Sequence, residues 1–205
     1  MSQLKLTADS GGGTVAIKAP ASTTGNAALD LTVPGTASAT LDTLKRAGNI
    51  IQAVSTTKSD SFSSSSTTSF VDVTGLSVSI TPTSTSSKIL VLYDLNWGTD
   101  EGHVSCRLMR DSTMIKVGDA AGNRTRATGH WHDGGAQSGD QYDIVQTAGT
   151  FLDSPATTNA VTYKMMVGTP NSSNYTVVVN RSGHDSDSTW EGRTASTLTV
   201  MEVAA

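Results

Sequence analysis

The chain has 205 residues, a net charge of −4, and only 36% hydrophobic and 5% aromatic side chains. That length fits one ordinary domain plus an extension. The absence of any Lys/Arg run excludes the basic stripe of a nucleic-acid surface, no stretch approaches the roughly 20 apolar residues that span a bilayer, and the single cysteine, Cys106, excludes an intrachain disulfide.

With 27 Ser, 31 Thr and 19 Gly, over a quarter of the chain carries a short hydroxyl side chain. Thr favours strands and Ser favours turns, so the composition points to an all-β protein rich in loops. The N-terminus, Met1-Ser2-Gln3-Leu4-Lys5, lacks the apolar run of a signal peptide, and synthesis in a cytoplasm is expected. Residues 4–7 and 14–18 alternate apolar and polar around Gly11-Gly12-Gly13, and 28–33 repeats the pattern before Pro34-Gly35. This is the pattern of strands and a hairpin. Each strand presents too few apolar residues for an independent core in water. Leu4, Leu6, Val15, Ile17, Leu29, Leu31 and Val33 are therefore expected to bury against another copy of the chain or a partner. The connector 36–48 offers at most one helical turn, at Leu41 and Leu44, closed by Gly48.

Beyond Asn49 the periodicity predicts strands at 50–57, 69–73, 76–81, 88–96, 103–110, 113–118, 142–152, 160–168, 174–181 and 195–203. Residues 88–96 are apolar on both faces at first, which predicts a central strand. The low-complexity Ser/Thr run 63–68 reads as a surface loop. The fold class expected is all-β: a short N-terminal strand extension (1–48, anchoring and trimerisation) and a jelly-roll-like β-sandwich knob (49–205). The core of the knob is lean, and neighbouring subunits are expected to cover its weakly apolar strand faces.

The N-terminal pattern Leu4-Lys5-Leu6-Thr7, Gly11-Gly12-Gly13-Thr14-Val15, Ala19-Pro20 and Leu29-Asp30-Leu31-Thr32-Val33-Pro34 resembles the N-terminal segments of fibre-like virion proteins of marine tailed phages. Residues 70–82 and 86–91, the segment 118–127, and the runs 151–155 and 199–203 are similar to the distal domains of those proteins. The resemblance covers most of the chain but lies in strands and turns, so it implies a β-rich, trimeric phage surface protein and no active site. Tail fibre, head fibre and capsid decoration protein all remain open on this ground.

Three tryptophans stand beside Gly, Asp, His or Asn: Trp97, Trp131 and Trp190. Aromatic rings beside polar groups suit binding surfaces. With Asp133 and Asp187 they are the candidate receptor or glycan contacts, set against the blander reading that each ring caps the sandwich. His130 and His132 flank Trp131, and on a strand both imidazoles point the same way. They form a weak metal candidate that a three-fold axis would multiply. Asp185, Asp187, His184 and Glu191 are a weaker candidate for calcium, because the full ligand pattern is missing. No Gly-x-Ser-x-Gly elbow is present, and Cys106 reads as a small buried residue. Asn-x-Ser/Thr matches begin at Asn123, Asn171, Asn174 and Asn180 and are expected by chance in so hydroxylated a chain.

The sequence thus leads to a non-enzymatic structural protein of a tailed-phage virion: a homotrimeric surface appendage, without cofactor, whose partners are its own copies, the major capsid or tail proteins and host surface glycan. Nucleic acid and membrane insertion are not expected. The alternative is a carbohydrate-binding module or glycan-cleaving receptor-binding protein.

Overall fold

A computed structural model describes residues 46–65, 68–132, 142–170 and 175–205. Those residues form eleven strands and no α-helix. The strands are β1 (Ile50–Lys58), β2 (Phe62–Ser65), β3 (Val71–Ile80), β4 (Lys88–Thr99), β5 (His103–Arg110), β6 (Thr113–Ile115), β7 (Gly129–His132), β8 (Val145–Asp153), β9 (Val161–Gly168), β10 (Thr176–Val179) and β11 (Ser196–Val203). The expected anchoring residues Leu4, Leu6, Val15, Ile17, Leu29, Leu31 and Val33 lie outside the described residues, as does Asp133.

The strands make two antiparallel sheets, one ordered β1-β11-β4-β10-β2 with β8 also paired to β4, the other β3-β9-β5-β6 with β7 also on β5. The apolar run at 88–96 becomes the middle of the first sheet, as its two-sided apolar pattern predicts: β4 pairs β8 from Ile89 to Trp97, β11 from Lys88 to Asp94, and β10 from Trp97 to Thr99. Inward side chains from both sheets meet in one core that includes Leu76, Ile89, Val91, Leu95 and Trp97 with Val104, Leu108, Tyr163, Met165 and Val167. Alternation along β4, β9 and β11 sends every second residue into it.

The outer faces carry hydroxyl pairs, Ser55–Thr199 at 2.7 Å, Thr57–Thr197 at 3.1 Å and Ser79–Thr162 at 2.8 Å, and on the first sheet also the expected weakly apolar group, where half-buried Leu90, Leu92 and Met201 adjoin the exposed Leu152. Cross-strand hydroxyl pairs stabilise a sheet that faces water. Among the described residues, the large apolar side chains left exposed are Ile50, Tyr142, Leu152 and Trp190. Residues 46–205 thus close a core of their own and keep a small apolar group on the outer face of the first sheet.

Two predicted strands, 69–73 and 76–81, are one strand with an irregularity. In β3, residues 73–76 stand opposite the single Met165, between the pairs Asp72–Met166 and Ser77–Lys164. Gly75 takes φ +85 there, a conformation that disfavours a side chain, beneath the Lys58 ammonium. Two short strands go beyond the expected set: β2 arises in the serine run and β7 in the Gly/His-rich segment. Each is held by ladder pairing to a stronger neighbour, β10 and β5 respectively.

Candidate functional site

The loop from β10 to β11, residues 180–195, carries the most concentrated polar and aromatic chemistry of the described surface. Asn180 begins it. With φ +61 it turns the chain out of β10, a conformation that asparagine tolerates better than most residues. Its amide Nδ2 donates to the carbonyls of Lys58 and Asp60 at 2.8 and 3.0 Å, and its Oδ1 accepts from Ser196 Oγ at 2.6 Å. Asn180 is fully buried, so its Asn-x-Ser match serves the fold and presents no accessible amide. Gly183 then passes so close to β4 that a Cβ there would sit 2.1 Å from the Thr99 carbonyl oxygen. Only glycine fits.

Beyond Gly183 the loop is tied internally. Asp185 pairs with Arg193 and lies 3.7 Å from Arg181. His184 Nδ1 meets Glu191 Oε1 at 2.5 Å, and Ser186 donates to Glu191 through its backbone N–H and, at 2.7 Å, its hydroxyl. Desolvation pushes the Glu191 carboxyl upward, but the bonds from Ser186 and His184 outweigh it and bring its pKa down to about 2. The Asp185 carboxyl is also held low, chiefly by its bond from Arg193. These partners bear on the calcium reading of Asp185 and Glu191: Asp185 is paired with arginine, and the Glu191 oxygens are taken up by bonds from Ser186 and His184.

Trp190 projects from this braced loop and is 83% exposed. Next to it, Tyr142 and His184 rings lie 5.3 Å apart at 55°. Tyr142, His184, Ser186, Ser188, Trp190 and Glu191 line an open cleft of about 400 Å³. A neighbouring cleft of about 430 Å³ adds Asp185, Asp187 and Arg193. An exposed indole beside hydroxyls and carboxylates is chemically suited to stack on a sugar face and bond its hydroxyls. Trp190 and Asp187 thus stand together, whereas Tyr142, 48 positions away from Trp190, carries no local signal that would group it with them.

The other tryptophans are elsewhere. Trp97 is wholly buried in the core and donates from Nε1 to Thr147 Oγ1 at 3.0 Å. The expectation of a contact role for it is corrected: β4 runs on through Gly98 to Thr99, which draws the ring inward. Trp131 is half-buried in β7, opposite Val104, and packs against the core. Its neighbours His130 and His132 point outward as expected of residues two apart. They are joined by His103, which no sequence pattern groups with them; β5 brings it opposite His132. The His103 and His132 rings stack at 3.9 Å, with His130 at 5.6 Å from His103 and bonded to Ser105 Oγ at 2.8 Å. Stacking brings ring faces together rather than nitrogen lone pairs. Among the described residues, no three His, Cys, Asp or Glu side chains are placed to hold a metal ion. Cys106 is buried, and burial pushes its thiol up to about 12.

No protein-family model matches the chain, and no curated protein is found to be similar to it.

Proposed function

We propose that the chain is a non-enzymatic structural and attachment protein of a tailed-phage particle: a homotrimeric appendage, either capsid decoration protein, head fibre or short tail fibre. Residues 1–48 anchor it to capsid or tail proteins, and residues 49–205 form an outward, jelly-roll-like knob that touches host-surface carbohydrate. The particle assignment is supported by the resemblance of the strand and turn segments. The attachment role is carried by one observation, the 83% exposed Trp190 on a loop that salt bridges and hydrogen bonds hold in place. An indole kept in water by a rigid loop gains most when a ligand covers it. Glu191, with its pKa lowered to about 2, does not fit the general-acid role in glycoside cleavage. Three such knobs on one rigid trimer multiply a weak contact through effective concentration.

The test is retention of the purified chain on host cell-wall polysaccharide, with sedimentation at micromolar concentration. A trimer that binds, and that Trp190→Ala releases without unfolding, is the expected result. A folded monomer, or retention indifferent to Trp190→Ala, overturns the reading.

A further inference from the structure

A separate cleft, of about 680 Å³, lies on the outer side of β5 and shares no lining residue with the Trp190 surface. Three arginines line it, Arg107, Arg124 and Arg126, over a floor that includes Phe70, Met109 and Met166; no carboxylate is among the lining residues. In a chain of net charge −4 this local excess of positive charge is unusual. Arg107 is aimed by the fold. Its guanidinium carbon sits 3.6 Å from the Phe70 ring centroid, and its Nε donates to the Arg126 carbonyl at 2.8 Å. Arg126 Nε in turn donates to the Gly118 carbonyl at 2.7 Å. Both side chains are thus fixed through Nε, while their Nη groups meet no protein acceptor among the described residues. Burial, and then the like charge of Arg126, lowers the Arg107 pKa, so the cluster is under mutual repulsion that an anion would relieve.

We propose that this cleft is a recognition site for the sulfate-ester groups of an acidic polysaccharide. Planar guanidinium groups with open Nη donors pair with such oxyanions in a fixed geometry. The apolar floor suits the less polar face of a sugar ring. A nucleic acid fits less well. Arg107 covers the face of Phe70 on which a base would stack, and three cations fall short of the extended phosphate contact set.

The test is titration of the full chain, by calorimetry at two salt concentrations, with four probes: a sulfated oligosaccharide, its desulfated counterpart, sodium sulfate alone, and a short single-stranded DNA. The sulfated sugar is expected to bind at least about tenfold more tightly than the other three, and less tightly as salt rises. Arg124→Gln with Arg126→Gln should weaken that binding about tenfold or more, and Arg124→Lys much less. Arg107 is left intact because it also packs on Phe70. Trp190→Ala should leave this binding unchanged, which separates this site from the attachment surface. Equal binding of the desulfated sugar, of sulfate alone or of DNA would overturn the proposal. So would full affinity in the double variant, shown by its melting curve to be folded.

Discussion

Arg110 on β5 and Asp153 at the end of β8 bolt the two sheets together, with Nη1 of the arginine 2.8 Å from each carboxylate oxygen. The Tyr163 hydroxyl donates to the same carboxylate at 2.7 Å, and Asp153 is 6% exposed. Burial, then the bond to Asp153 and its charge, pushes the Tyr163 phenol well above its ordinary range. Asp153→Ala leaves a partly buried guanidinium and a buried phenol without their acceptor. The expected loss is about 3 kcal/mol, the low end for breaking a buried pair. Urea unfolding of the variant measures it, and a loss below about 0.5 kcal/mol would place this contact with ordinary surface ion pairs.

Trp97 and Trp190 predict opposite phenotypes. Trp97→Phe removes the donor to Thr147 and part of a fully buried ring, and should cost about 2–3 kcal/mol. Trp190→Ala changes an exposed side chain and should leave stability within about 0.5 kcal/mol, while abolishing carbohydrate retention. Thermal melts and binding measured on both proteins check the pair together.

This contrast also marks how far the sequence can be read. Residues 88–96 form an apolar run and 103–110, 160–168 and 195–203 alternate, and each is a strand close to its expected bounds. The strands β2 and β7 carry mostly Ser, Gly and His, and backbone pairing with β10 and β5 defines them, so side-chain periodicity leaves no trace. Trp97 reads as a loop residue because Asn96 and Gly98 look like turn residues. Gly98 is there for space instead, since a Cβ would lie 2.8 Å from the Asp143 carbonyl oxygen inside a continuing strand. The Trp190 loop is legible from its Asp, Ser and Gly content. Groupings made by tertiary pairing are not: His103 with His132 across β5 and β7, and Arg107 with the loop residue Arg126, are 29 and 19 positions apart and share no local pattern.

Asn180 holds five hydrogen bonds in a buried position. Besides its three side-chain bonds, its N–H donates to Asn96 O at 2.8 Å and its carbonyl accepts from Thr194 N–H at 3.2 Å. Asn180→Ala strands the Lys58 and Asp60 carbonyls and the Ser196 hydroxyl and strains the left-handed backbone. A loss of about 2–4 kcal/mol is expected. Asn180→Asp should be at least as damaging, because a carboxylate would face two carbonyl oxygens. Denaturant midpoints for both variants decide this, and an Asp variant as stable as the native chain would refute the bonding scheme.

The histidine stack should make the knob acid-sensitive. Desolvation, then His132 and His130, lowers the pKa of His103 below its ordinary 6.5. For a base, a lowered folded-state pKa means that the unfolded chain binds the proton more readily, so stability is complete above pH 6.5 and falls as pH drops below it. His103→Gln should flatten the dependence of the melting temperature on pH between about 6.5 and 5. An unchanged slope would show that the stack does not titrate against folding.

Glu191 titrates in a lower window and reports on the loop itself. Its folded-state pKa of about 2 lies below its ordinary 4.5, so what the ionised carboxylate contributes to loop order is complete above pH 4.5 and is lost as pH falls towards 2. The bonds from Ser186 N–H, Ser186 hydroxyl and His184 are the ones at stake. Because Trp190 is the adjacent residue in the chain, its emission is the natural probe. Native protein should show an emission change between about pH 4.5 and 2 that Trp190→Phe removes. Glu191→Gln should show the acid-state emission already at pH 7, with the global melt little changed, because the loop and not the core depends on that charge. A Glu191→Gln protein with native emission at pH 7 would mean that Arg193 and Asp185 alone hold the loop in place.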